Sequence, residues 1–153
     1  MPDVIVQRIA ENVKTALEAL SPAPTVERER MILQIGKRFP YIELTGPQVE
    51  ITDRASGVNM CDVHFLVRYF SQINDEGTAV DTEITYQTRN LAGDIIKGLM
   101  LDPTRGDLAQ YTYQDQYGYG FDIDEATDLV VFYVAVAFFV KTRISETDPY
   151  SLA

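Results

Sequence analysis

The chain is poor in the residue types that most often carry chemistry. Among 153 residues there is one cysteine, Cys61, and one histidine, His64. A lone cysteine excludes an internal disulfide, and with one histidine no zinc cluster of the usual Cys/His spacing has its ligands. Stability has to come from buried apolar side chains. Basic residues are also scarce: 13 Lys and Arg stand against 23 Asp and Glu, a formal charge of -10. A field of that sign repels phosphate backbones, which argues against a conventional nucleic-acid binder. Neither GxGxxG nor a Gly-Lys-Ser/Thr sequence occurs, so the glycines of YGYG (117–120) form no phosphate cradle. The N-terminal stretch MPDVIVQRIAENVKTAL has no basic start and no small-residue cleavage site, and a cytoplasmic protein is expected. The longest apolar run, LVVFYVAVAFFV from Leu129 to Val140, is too short to cross a bilayer as a helix, which takes about 20 residues.

What is present is pattern. The hydrophobic share, 46%, suits a single domain with one core, here taken as residues 1–153 with 145–153 as an extended C-terminal tail. Ile5, Ile9, Val13, Leu17 and Leu20 recur at helical spacing, with Asp3 placed to cap the first turn and SPAP ending the pattern. TVERERMILQI opens with alternation, and YIELTGPQVEIT reads as a second strand bent at Gly46-Pro47, as at a hairpin corner or on an edge strand. VNMCDVHFLVRYF alternates throughout: Cys61, Val63, Phe65, Val67 and Tyr69 point one way, while Asp62, His64, Leu66, Arg68 and Phe70 point the other. SQINDEGTAVD reads as a polar loop. A second helix follows, with Ile84, Leu91, Ile95 and Leu99 on one side and Asp81 or Thr82 as its cap. After the breakers of DPTRGD comes a tyrosine-rich strand, LAQYTYQDQYGYGFD, running into a glycine-rich turn, and then the apolar run extended through KTRIS. The fold class is α+β, order α-β-β-β-α-β-β, with a mostly antiparallel sheet and two helices on one face.

The apolar run decides where the sequence points. A sheet covered on one side should alternate, because its other face meets water. This strand does not. Val130, Phe132, Val134, Val136 and Phe138 are assigned to the helices, which leaves Tyr133, Ala135, Ala137 and Phe139 for a neighbouring molecule, with Tyr111 and Tyr113 beside them. Hiding about 300 Å² of such surface at ~25 cal/mol per Å² contributes roughly 7 kcal/mol before association costs.

No active site is assembled by the remaining residues, and an enzyme is not expected. Cys61 and His64 have opposite parity and leave opposite sides of the sheet, so they are no catalytic pair. Asp122, Asp124, Glu125 and Asp128 lack the ligand positions and sharp-turn glycine of an EF-hand and read as solvated turn residues. Tyr111, Tyr113, Tyr117 and Tyr119 have no basic residues among them to attract a nucleic acid, and suit a sheet edge or a protein interface. No cofactor and no metal ligands are assigned.

The element order, with a central helix ending in GLMLDPTRGDLAQYTYQD, that is a leucine-containing end, a short turn with glycine and then a strand, resembles the tail terminator (tail completion) proteins of long-tailed bacteriophages over most of the chain. The resemblance implies a structural virion subunit, assembled in the host bacterial cytoplasm and located at the tail and neck. It would close with copies of itself into a ring, typically a hexamer, on the head-proximal end of the tail tube and offer a docking surface to the head connector. Its partners would be the tail tube protein and the head–tail connector or neck protein, with genomic DNA passing through an acidic lumen unbound and no membrane involved. Asn74, Asp75 and Glu76, together with Pro149 and Tyr150, are the expected partner-contact segments. The alternatives are a neck adaptor or tube protein of the same assembly, or a small-ligand-binding or enzymatic domain with a pocket between the second helix and the tyrosine-rich strand.

Overall fold

The structure, a computed structural model, describes residues 3–20, 24–28, 41–72, 80–124 and 129–153, with side chains described for 3–20, 24–28, 41–70, 90–120 and 133–153. Its elements are α1 (Ile5–Glu18), β1 (Thr25–Arg28), β2 (Tyr41–Ala55), β3 (Val58–Gln72), α2 (Val80–Met100), β4 (Tyr111–Asp124) and β5 (Leu129–Ser145). The α-β-β-β-α-β-β order and the α+β class are those the sequence predicts. The five strands form one sheet in the order β1-β2-β3-β5-β4. All neighbours are antiparallel except β1, which runs parallel to β2 over Thr25–Arg28 and Tyr41–Leu44. Beyond Leu44, β2 has no strand on its outer side among the described residues.

Alternation sorts the side chains. On β3, Cys61, Val63, Phe65, Val67 and Tyr69 are all buried, and on β5 so are Val134, Val136, Phe138 and Val140. They meet Ile5, Ile9, Val13 and Leu17 of α1 and Ala92, Ile95 and Leu99 of α2 in a single core, so both helices cover the same sheet face. The parity assigned to the helices is therefore observed at Val134, Val136 and Phe138; the side chains of Val130, Phe132 and Ile84 lie outside the described ones.

Local expectations fail in four places. Asp3 does not cap α1: the N-cap is Val4, without a side-chain bond, and the free N–H of Ile5 donates to the carbonyl of Pro149 at 3.0 Å. A backbone group from the far end of the chain thus fills the role of a capping side chain. Asp81 and Thr82 lie inside α2, which already begins at Val80. Gly118 and Gly120 lie within β4, not in a turn, opposite Ala135 and Tyr133. A Cβ on Gly120 would meet Cζ and the hydroxyl oxygen of Tyr133 at 2.5 Å, so the glycine gives that ring its room. Finally, the segment after β5 is no extended tail. Ser145 donates its N–H to Ser151, Ala153 to Arg143, and Glu146 to Gly57 in the β2–β3 turn, while Ile144 and Leu152 form a β-bridge. The Asp148 carboxyl accepts from the Ser151 hydroxyl at 2.6 Å and from the Tyr150 N–H at 3.1 Å, which holds its pKa below the usual carboxylate value.

The bend at Gly46-Pro47 is the edge-strand kind. The register slips between Thr45 and Gln48, where β2 bulges. Gly46 has φ 115°, and a Cβ there would sit 2.6 Å from the carbonyl oxygen of His64. Only glycine fits that combination. Gly46→Ala is expected to cost at least about 2 kcal/mol, measured by urea unfolding; an unchanged midpoint would mean that the bend is soft.

Candidate subunit interface

The sheet face opposite the helices is organised in rows set by strand register. From β4 to β2 these are Tyr111–Lys141–Asp62–Glu50, Tyr113–Phe139–His64–Gln48, Gln116–Ala137–Leu66–Thr45, Gly118–Ala135–Arg68–Glu43, and Gly120–Tyr133–Phe70–Tyr41. Both ends of this face are aromatic. At one end Tyr41 stacks on Phe70 at 4.8 Å and Phe70 tilts against Tyr133 at 5.4 Å. At the other, Tyr113 stacks on Phe139 at 5.2 Å, His64 lies 5.5 Å from Phe139, and Tyr111 meets Tyr113 edge-on at 5.2 Å. Between them Gly118, Ala135 and Ala137 make a low floor. Phe139 lies six positions along β5 from Tyr133, so the two ridges stand roughly 20 Å apart at the rise of an extended strand.

Among the described residues, three charge contacts cross the strands of this face. Arg68 donates to Glu43 and its guanidinium lies 5.7 Å from the Phe70 ring. Lys141 is 3.9 Å from Asp62 and 5.9 Å from the Tyr113 ring. His64 Nε2 lies 3.1 Å from Glu50 Oε2.

The sequence-predicted residues come together here, with one difference in degree. Tyr133, Ala135, Ala137 and Phe139 are adjacent on the open face but each is half-buried by cross-strand neighbours. The exposed apolar surface is concentrated instead on β4, where Tyr111, Tyr113, Tyr117 and Tyr119 are 41 to 52% exposed. A bulge between Gln114 and Gln116 switches their parity. Tyr111 and Tyr113 share the open face with Phe139, whereas Tyr117 and Tyr119 pair with Val136 and Val134 and point to the helix side. β4 is thus an edge strand with tyrosine on both faces, and strands of its 14 residues are well above the usual length.

Of the expected partner-contact segments, Asn74, Asp75 and Glu76 lie outside the described residues, as do Glu125 and Asp128. Pro149 and Tyr150 are exposed, yet the Pro149 carbonyl is engaged by α1. Asp122 and Asp124 belong to β4.

Two features escaped the sequence reading. Glu50, Asp62 and His64 place ligand-type atoms within 4.8 Å of one another. Asp-x-His on one strand face was visible in DVH, but its meeting with Glu50 depends on the β2 bulge. Arg105 is fully buried in the α2–β4 loop and donates to the carbonyls of Leu99 and Asp102. Cys61, the other reactive type, is buried on the helix side, where desolvation and then nearby Asp62 push its thiol pKa up, the opposite of what a nucleophile requires.

Among the described residues no helix is long and apolar enough to cross a membrane. No protein-family model matches the chain, and a search of curated proteins finds no match.

Proposed function

We propose that the chain is a structural subunit that closes with copies of itself into a ring, and that this ring caps the head-proximal end of a phage tail tube and receives the head connector. The observation that carries the self-assembly is β4: a 14-residue edge strand whose outer backbone groups have no strand partner among the described residues, bearing four tyrosines each at least two-fifths exposed. An edge that long and that apolar is a template for another chain. Tyrosine suits an interface because its ring buries large area while its hydroxyl keeps a hydrogen bond. The half-buried Tyr133, Ala135, Ala137 and Phe139 extend the same surface inward.

The tail-terminator role rests on the element order described above and on the net charge of -10, which in a ring lumen denies DNA phosphate contacts. The electrostatic potential along the pore of an assembled ring should be negative; a basic lumen would count against DNA passage. Gold-labelled antibody against this chain should mark the head–tail junction of the phage particle in electron micrographs. Label on the tail tip, along the tube or on the capsid would overturn the assignment.

A further inference from the structure

We propose that Glu50, Asp62 and His64 form a binding site for one divalent transition-metal ion of the zinc class, on the sheet face opposite the helices. The site is built by one chain, so it does not depend on the ring. Glu50 and Asp62 are directly opposed across β2 and β3, and His64 follows Asp62 by two residues, hence on the same face. Like charges directly opposite one another destabilise a sheet. The compensation provided by the protein itself is incomplete. Lys141 approaches Asp62 only to 3.9 Å, and Asp62 Oδ1, shielded from solvent, has no hydrogen-bond partner among the described residues.

A metal ion supplies both the missing charge and the missing partner. Two ligand atoms on a tetrahedral zinc lie about 3.4 Å apart, given bonds of about 2.0–2.1 Å. His64 Nε2 and Glu50 Oε2 are already 3.1 Å apart, and all three donors fall within 4.8 Å of one another. One imidazole and two carboxylates suit zinc better than magnesium or calcium, which take shells built from oxygen. The remaining coordination position faces outward, since the His64 and Glu50 side chains are 38% and 64% exposed.

Calorimetric titration of the purified chain with zinc chloride, and separately with magnesium chloride, tests the site. One zinc per chain is expected, with magnesium much weaker. His64→Ala and Asp62→Asn should each weaken zinc by at least about tenfold, since removing a ligand costs no less than disturbing its outer-shell support. Lys141→Met, which removes a competing cation, should tighten it. Circular dichroism checks that the variants fold, and His64→Ala, at an exposed side chain, keeps the test valid if Asp62→Asn does not. Equal zinc affinity in the native chain and His64→Ala, no zinc uptake at all, or magnesium as the tighter ligand would each overturn the proposal.

Discussion

Val136→Asp should leave no folded subunit, while Ala137→Asp, one residue away, should leave the subunit folded and unable to assemble. Val136 is completely buried against the helices, opposite Val67 and Tyr117. A carboxylate there is either ionised without a partner in an apolar core or neutral and still unbonded, and it also gives up the packing of the valine. The cost is expected to exceed about 4 kcal/mol, which approaches the whole stability of a domain at the low end of the usual range of about 5–15 kcal/mol. Ala137 projects to the other face, between Leu66 and Gln116, and is only half-buried. A charge at that position keeps its water in the isolated subunit, and the fold is expected to change by less than about 1 kcal/mol. In an assembled interface the same charge would be stripped of water. Circular dichroism reads the first effect and native mass the second. If Val136→Asp folds, or if Ala137→Asp assembles as well as the native chain, the division of β5 into a core face and a contact face is wrong.

Arg105→Ala is expected to lower stability by about 3 kcal/mol, from two charge-assisted bonds lost and the Leu99 carbonyl left without the guanidinium, while the Asp102 carbonyl keeps the backbone N–H of residue 105. The guanidinium reaches back to the carbonyls of Leu99 and Asp102, so it closes the C-terminal end of α2 together with the turn that follows, in which the Arg105 N–H also donates to Asp102. Its burial is not free of cost: Nε and Nη1 have no partner among the described residues, desolvation lowers the arginine pKa, and Asp102 works against that shift. The residue also has φ 50°, next to Gly106 at 65° and Asp107 at 63°, a left-handed run that the loop needs in order to reverse direction. The loop is tied to its surroundings by Thr112, whose hydroxyl donates to the Pro103 carbonyl at 2.8 Å, and by Thr142, which donates to the Leu108 carbonyl at 2.7 Å. Loss of Arg105 should therefore release the end of α2 and the start of β4 together, seen as faster amide exchange over residues 99–112. Exchange confined to the substituted loop would show that the arginine is a bystander.

What the sequence made legible follows from period. A repeat of two or of 3.6 survives any tertiary context that leaves one face dry, and β3 and α1 have such repeats, so their core faces could be read directly. The misread positions depend on groups distant in sequence. Asp3 was a sound capping residue by local rules, and it is displaced because Pro149 arrives with a carbonyl. Gly118 and Gly120 look like turn residues until they are placed opposite Ala135 and Tyr133, and only Gly120 lies against a side chain that needs its room. The Glu50–Asp62–His64 group needs the register between β2 and β3, which the bulge after Thr45 sets and no periodicity reveals. Arg105 was hidden by its own type, since an arginine in a polar loop is ordinarily solvated. The proposed contact surface was half legible. The absence of alternation in β5 pointed to the open sheet face, but the largest exposed surface lies on β4, where a bulge splits four tyrosines between two faces.

The most direct measurement is the mass of the purified chain by light scattering during size exclusion, over a range of concentration. Self-association through β4 and the open sheet face requires one closed species at a fixed multiple of 17.3 kDa, about sixfold for the ring proposed here, and a shift to single subunits in Ala137→Asp. A native chain that remains at 17.3 kDa at every concentration would contradict it.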